Sequence, residues 1–167
     1  TGSKTDKGVI GLLPDGRSVV TLFEAAHNQG LATAVVTTSG LADATPGGFL
    51  AHVASRDTYD QVLAQVLDSG TDILIGGDWS GKSKAMREPA YREVLEGADS
   101  QAAGSGTTVV HDMKGLQAAT PPLIALFPPR PEMPLQHGPP LSETTARALD
   151  LLERGDRPFV ILVESEV

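Results

Sequence analysis

The sequence predicts an α/β fold, a three-layer αβα sandwich with a largely parallel sheet. Three observations lead there. Short continuous apolar runs, the mark of strands covered on both faces, recur at Leu31–Thr37, Asp72–Ile75, Thr107–Val110, Leu123–Phe127 and Phe159–Val163. Amphipathic stretches with helical spacing lie between most of them. Turn and stop residues, such as Pro14-Asp15-Gly16, Gly30, Gly70 and Gly155, separate the two kinds of segment. There is no internal repeat, and 167 residues suit one α/β domain spanning 1–167.

In chain order, Gly8–Leu13 is a short apolar run closed by a turn. Ser18 is placed to cap a helix carrying Val19, Leu22, Phe23 and Ala26 on one face. The strand Leu31–Thr37 follows. Asp57 is placed to cap a helix with Tyr59, Val62, Leu63, Val66 and Leu67 inward, ended by Gly70. After the strand Asp72–Ile75, residues Asp78–Gly106 are polar and rich in Gly and Ser, with a short helix expected around Tyr91–Leu95. A short helix near Met113–Ala118 separates the strands Thr107–Val110 and Leu123–Phe127. Six prolines between Pro128 and Pro140 predict an irregular loop. Ser142 opens the clearest helix, with Ala146, Leu149 and Leu152 inward. The strand Phe159–Val163 comes last.

Composition excludes several classes. Twenty-one acids against 13 bases leave a formal charge of −8, which argues against a nucleic-acid partner. With no cysteine there is neither a disulfide framework nor a thiolate zinc site. No apolar run approaches the ~20 residues that span a bilayer, so no membrane span is expected. The sequence starts at Thr1 and stops at Val167, just past an apolar run. It reads as a piece of a longer protein, the alternative being a domain trimmed to its ordered part.

Three stretches offer chemistry. Gly76-Gly-Asp-Trp-Ser-Gly81-Lys82-Ser83 matches a phosphate-cradling loop, with Lys82 for phosphate and Ser83 for Mg²⁺. Pro89 stands against it, where the loop's long helix should run. Gly2-Ser-Lys-Thr5 copies only the end of that motif and is set aside. Asp43-Ala-Thr45-Pro46 with Arg56 combines a carboxylate, a hydroxyl and a guanidinium, as a metal-plus-phosphate site would. Thr45 and Pro46 alone would also serve as N-cap and first residue of a helix. Glu164 ends an apolar strand, where open α/β sheets place functional carboxylates. His27, His111 and His137 are isolated. His52, three residues after Phe49, is expected on a helix and packed.

Thr1-Gly-Ser-Lys-Thr-Asp-Lys-Gly-Val-Ile-Gly11, Leu22-Phe-Glu-Ala-Ala26, Val35-Val-Thr-Thr-Ser39, Asp43-Ala-Thr-Pro46, Ala51-His-Val53 and Ser55-Arg56 resemble, in order and spacing, the alkaline phosphatase family. So do Asp72-Ile-Leu-Ile-Gly-Gly77, the segment from Leu126-Phe127 to Met133-Pro134, and Phe159-Val-Ile-Leu-Val-Glu164. The likeness is densest over residues 1–77 and weakest over 79–119.

The resemblance implies a metal-dependent phosphate monoester hydrolase. Thr45 and Glu164 are similar to its magnesium ligands, and Asp43 to the residue holding a magnesium-bound water in bacterial members. Arg56 is similar to the arginine that clamps the substrate phosphate. The family's serine nucleophile and its Zn²⁺ ligands have no counterpart in these residues. The expectation is therefore a middle segment with a phosphate clamp and a partial Mg²⁺ site, inactive alone. A phosphate monoester or inorganic phosphate is the expected ligand, a homodimer a possible assembly, and a periplasmic or secreted location the family's habit. A non-catalytic structural core and a nucleotide-binding module using Lys82 are the alternatives.

Overall fold

The computed structural model describes residues 2–78, 88–130 and 133–166. Five parallel strands form the central sheet: β1 (Ala32–Gly40), β2 (Ile73–Gly77), β3 (Thr108–Val110), β4 (Leu123–Phe127) and β7 (Phe159–Glu164). Their order is β3-β4-β2-β1-β7. Helices α1 (Leu22–Asn28), α2 (Ala44–Leu50), α3 (Tyr59–Leu67) and α4 (Pro89–Ser105) supply one core layer, in which Phe23, Leu50, Leu63 and Tyr91 meet Val35, Leu74 and Ile124. Helices α5 (Met113–Ala118) and α6 (Leu141–Glu153) supply the other, in which Leu116, Ala148 and Leu151 meet Val36, Ile75 and Ala125. This is the predicted three-layer sandwich. All nine residues of β1 are buried, as a strand with helices on both faces requires.

The strand order contains a topological switch point. From β1 the chain moves to β2 on one side, and it returns much later as β7 on the other. The order therefore reverses between β1 and β7, and ligands in open α/β sheets collect at the carboxyl ends of strands at such a point. The register there sets Thr37 opposite Glu164.

Several local expectations change. The first helix is capped by Thr21, not Ser18. The Thr21 hydroxyl accepts from the Glu24 N–H and the Glu24 carboxylate accepts from the Thr21 N–H, a full capping box. Phe23 and Ala26 point inward as expected, but Leu22 is exposed and Val19 precedes the helix. Thr58 rather than Asp57 is the N-cap of α3. The segment read as a polar loop with a short helix contains the 17-residue α4, with Pro89 at its start, where a missing N–H costs nothing. Its inner stripe is Tyr91, Val94, Leu95 and Ala98. The proline-rich loop holds a small antiparallel pair, β5 (Pro129–Arg130) with β6 (Met133–His137). In α6 the fully buried positions are Thr144, Ala148, Leu151 and Leu152, while Ala146 is exposed and Leu149 half-buried.

Candidate functional site

Helix α2 begins two residues before the expected start. Asp43 is its N-cap, accepting from the Ala44 N–H at 2.6 Å. Pro46 then sits in the first turn, where no intrahelical N–H bond is lost. The consequence is chemical: Thr45 has no capping duty, and its half-buried hydroxyl has no hydrogen-bond partner among the described residues.

Asp43 is a hub. Its Oδ1 also receives Nη2 of Arg56 at 3.2 Å, and its Oδ2 lies 2.8 Å from the Ser39 hydroxyl. Asp43 is mostly buried and Arg56 about half exposed. One edge of the guanidinium is therefore tied to a carboxylate while the rest of its fork faces solvent.

The loop carrying Arg56 is held from several sides. The Arg56 N–H donates to the Gly8 carbonyl at 2.7 Å, and Ile10 and Val53 exchange backbone bonds of 3.0 and 2.9 Å. Gln65 of α3 takes both backbone groups of His52, accepting from its N–H at 2.8 Å and donating to its carbonyl at 3.2 Å. The His52 ring lies 2.9 Å from the Gly11 carbonyl and 2.9 Å from Glu24 Oε1. Gly11 has φ +66°, and a Cβ there would overlap the Ala51 carbonyl, so only glycine lets the two segments approach. His52 is packed as expected, but it lies beyond the end of α2.

Both ring nitrogens of His52 face acceptors, which suits the imidazolium. Burial pulls its pKa down; the Gly11 carbonyl and the Glu24 carboxylate outweigh that and raise it above its ordinary value. For Glu24, burial pushes up, but the Thr21 N–H and His52 bring the net shift below the ordinary carboxylate value.

Glu164 reaches the site from β7. It accepts from the Thr37 hydroxyl at 2.8 Å, and Thr37 Oγ1 accepts in turn from the Ser39 N–H at 2.9 Å. Glu166, which sequence reasoning passed over, lies beside it. Its Oε2 is 2.6 Å from Ser39 Oγ, and its N–H donates to Thr38 Oγ1 at 2.9 Å. The signals for these were the hydroxyl run Thr37-Thr38-Ser39 and the alternation Glu164-Ser165-Glu166.

Asp43 and Arg56 thus meet directly, and Thr45 stands two residues from Asp43 on the first turn of α2. Glu164 joins through Thr37 and Ser39. Among the described residues, no three His, Asp or Glu side chains converge on one point. The set is hydroxyls and carboxylates, the chemistry of a hard cation that keeps part of its water. His111 is engaged elsewhere, with Asp99 and the Leu126 carbonyl. In the phosphate-loop candidate, Gly76 is a buried β2 residue; a Cβ there would press on Leu41 and Thr37 at 2.8 Å. Lys82 and Ser83 lie outside the described residues.

Likeness to known proteins decides the relationship. A family model described as alkaline phosphatase matches residues 1–78. The cold-active alkaline phosphatase of a psychrophilic Shewanella superimposes with a TM-score of 0.78 at 29% identity, covering 98% of this chain and 39% of that one. This chain is related to the alkaline phosphatases. The alkaline phosphatase of Escherichia coli strain K12 is 27% identical over 98% of this chain and 45% of its own length. The streptomycin-6-phosphate phosphatase of Streptomyces griseus is 30% identical over 91% of this chain and 43% of its own. The chain thus spans less than half the length of these relatives. The family model ends at residue 78, where the sequence resemblance also thins.

Proposed function

We propose that the carboxyl end of β1 and β7, together with the first turn of α2, is the phosphate clamp and partial magnesium site of a metal-dependent phosphate monoester hydrolase. The observation that supports this most is the meeting of Arg56, Asp43 and, through Ser39 and Thr37, Glu164 at the topological switch point. Arg56 is the clamp: it is preoriented by Asp43 and the tied loop, with the open part of its fork available for two parallel bonds to phosphate oxygens. Thr45 and Glu164 would hold Mg²⁺ directly and Asp43 through a water. The oxygen donor set fits that ion, since Mg²⁺ takes one or two carboxylates and retains water. When bound, it would supply positive charge beside the phosphoryl group. Among the described residues no three His, Asp or Glu side chains converge as a Zn²⁺ ligand set. The Zn²⁺ ligands, and the serine nucleophile, are to be sought outside these residues.

Among the described residues no helix is long and apolar enough to cross a membrane. A periplasmic or secreted setting and a homodimer follow the family's habit and belong to the same proposal.

The test is binding of inorganic phosphate. The wild type should bind it, and Arg56→Ala should weaken binding by about 2 kcal/mol, ~30-fold, the usual size of a charge-assisted contact. Equal affinities would remove Arg56 as the clamp. Hydrolysis of an aryl phosphate by this chain alone should stay at background. Turnover that survives repurification and disappears in Arg56→Ala would overturn the inactivity.

A further inference from the structure

Ser39 Oγ lies 2.8 Å from Asp43 Oδ2 and 2.6 Å from Glu166 Oε2. A serine hydroxyl has one hydrogen, and an ionised carboxylate only accepts. When Ser39 donates to one carboxylate, its lone pair faces the other. Such a row of oxygens is stable beside positive charge. Arg56 supplies some of it on the opposite oxygen of Asp43.

The row is also fixed in place. The Thr37 hydroxyl donates to Glu164, the Thr38 hydroxyl accepts the Glu166 N–H, and the Ser39 hydroxyl lies between Glu166 and Asp43. Three consecutive residues of β1 thereby latch the segment that leaves β7 and join it to the cap of α2. Glu166 is the outermost link.

We propose that Glu166 is a positioning residue for the divalent-cation site. Acting through the Ser39 hydroxyl, it fixes the orientation of the Asp43 carboxylate. The idea rests on the magnesium reading above. It adds a carboxylate and a hydroxyl that are not themselves assigned as ligands. Outer-shell partners of this kind typically change metal affinity by ~10- to 100-fold.

The experiment is calorimetric titration of the purified protein with Mg²⁺, with circular dichroism to confirm that each variant is folded. Glu164→Gln should abolish measurable binding. Glu166→Gln should weaken it ~10-fold. Ser39→Ala should weaken it to a similar degree while every charge stays in place, and the double variant should be little worse than either single one, because both act through one link. If Glu166→Gln binds as the wild type does while Glu164→Gln does not bind, the role of Glu166 is overturned and the magnesium site stands. If Glu166→Gln weakens binding but Ser39→Ala does not, positioning through the hydroxyl is overturned. If the wild type binds no Mg²⁺, both the inference and the site beneath it fall.

Discussion

At the amino end of the sheet, Asp72 accepts the Thr33 N–H and pairs with Arg157, while Asp150 is gripped by Arg154 and Arg147. At the carboxyl end, Asp43 meets Arg56, and the Ser39 and Thr37 hydroxyls link it to Glu166 and Glu164. The first group is closed within the chain: two carboxylates and three guanidinia, with Arg147 nearly buried and using its remaining donors on the Leu116, Gln117 and Ala119 carbonyls. Arg154 and Arg147 hold the Asp150 carboxyl below the usual range. The second group lies at the topological switch point, and its guanidinium is about half exposed. The first group holds the fold together, and the second, in the proposed reading, sits where open α/β sheets receive a ligand.

The largest effect separating the two ends should come from Arg147→Met. It strands the carbonyls that close α5 and releases Asp150. Losing a nearly buried arginine and its partners should cost about 3 kcal/mol, lowering Tm by roughly 6–12 °C. Phosphate and Mg²⁺ affinity should not change. An unchanged Tm, or an altered affinity, would erase the distinction between the ends.

A smaller effect concerns the clasp beside the clamp loop. His52 has a raised pKa, so its contribution is complete below its ordinary value of 6.5 and is lost as pH rises through the folded value. Glu24 has a lowered pKa, so its share is present above 4.5 and is lost as pH falls through its folded value. The clasp should be strongest between those limits. Glu24 and the Gly11 carbonyl face the ring, and Gln65 holds its backbone. In thermal melts, the Tm advantage of the wild type over His52→Gln should shrink as pH is raised from 6 to 9. A difference that stays constant would mean that the imidazolium is not what closes the clasp.

How much of this was legible beforehand depended on how local each signal was. Leu123–Phe127 and Met113–Ala118 matched the structure residue for residue, because apolar continuity and helical spacing are properties of the segment itself. Helix α4 was underestimated because its inner stripe is thin and its other positions are polar, Gly or Ala; its opening proline suggested a break rather than a start. The inner face of α6 was misjudged because Arg147 is drawn inward by the end of α5, which no pattern within α6 records. The capping box Thr21–Glu24 was readable as Thr-x-x-Glu and was passed over for Ser18. Asp43, Thr45, Arg56 and Glu164 were singled out through residue type and family likeness. Ser39 and Glu166 were not, because what joins them is a contact 127 positions apart in the chain.

The central claim is that the carboxyl end of the sheet is built to receive a divalent cation and the amino end is not. Thermal unfolding with and without Mg²⁺ tests it most directly. At ~100-fold excess over the dissociation constant, a bound cation should stabilise by about 2.7 kcal/mol, raising Tm by roughly 5–10 °C. The account predicts that rise in the wild type and in Arg147→Met, measured from its own lower starting point, and no rise in Glu164→Gln. An equal rise in Glu164→Gln, or none in the wild type, would contradict it.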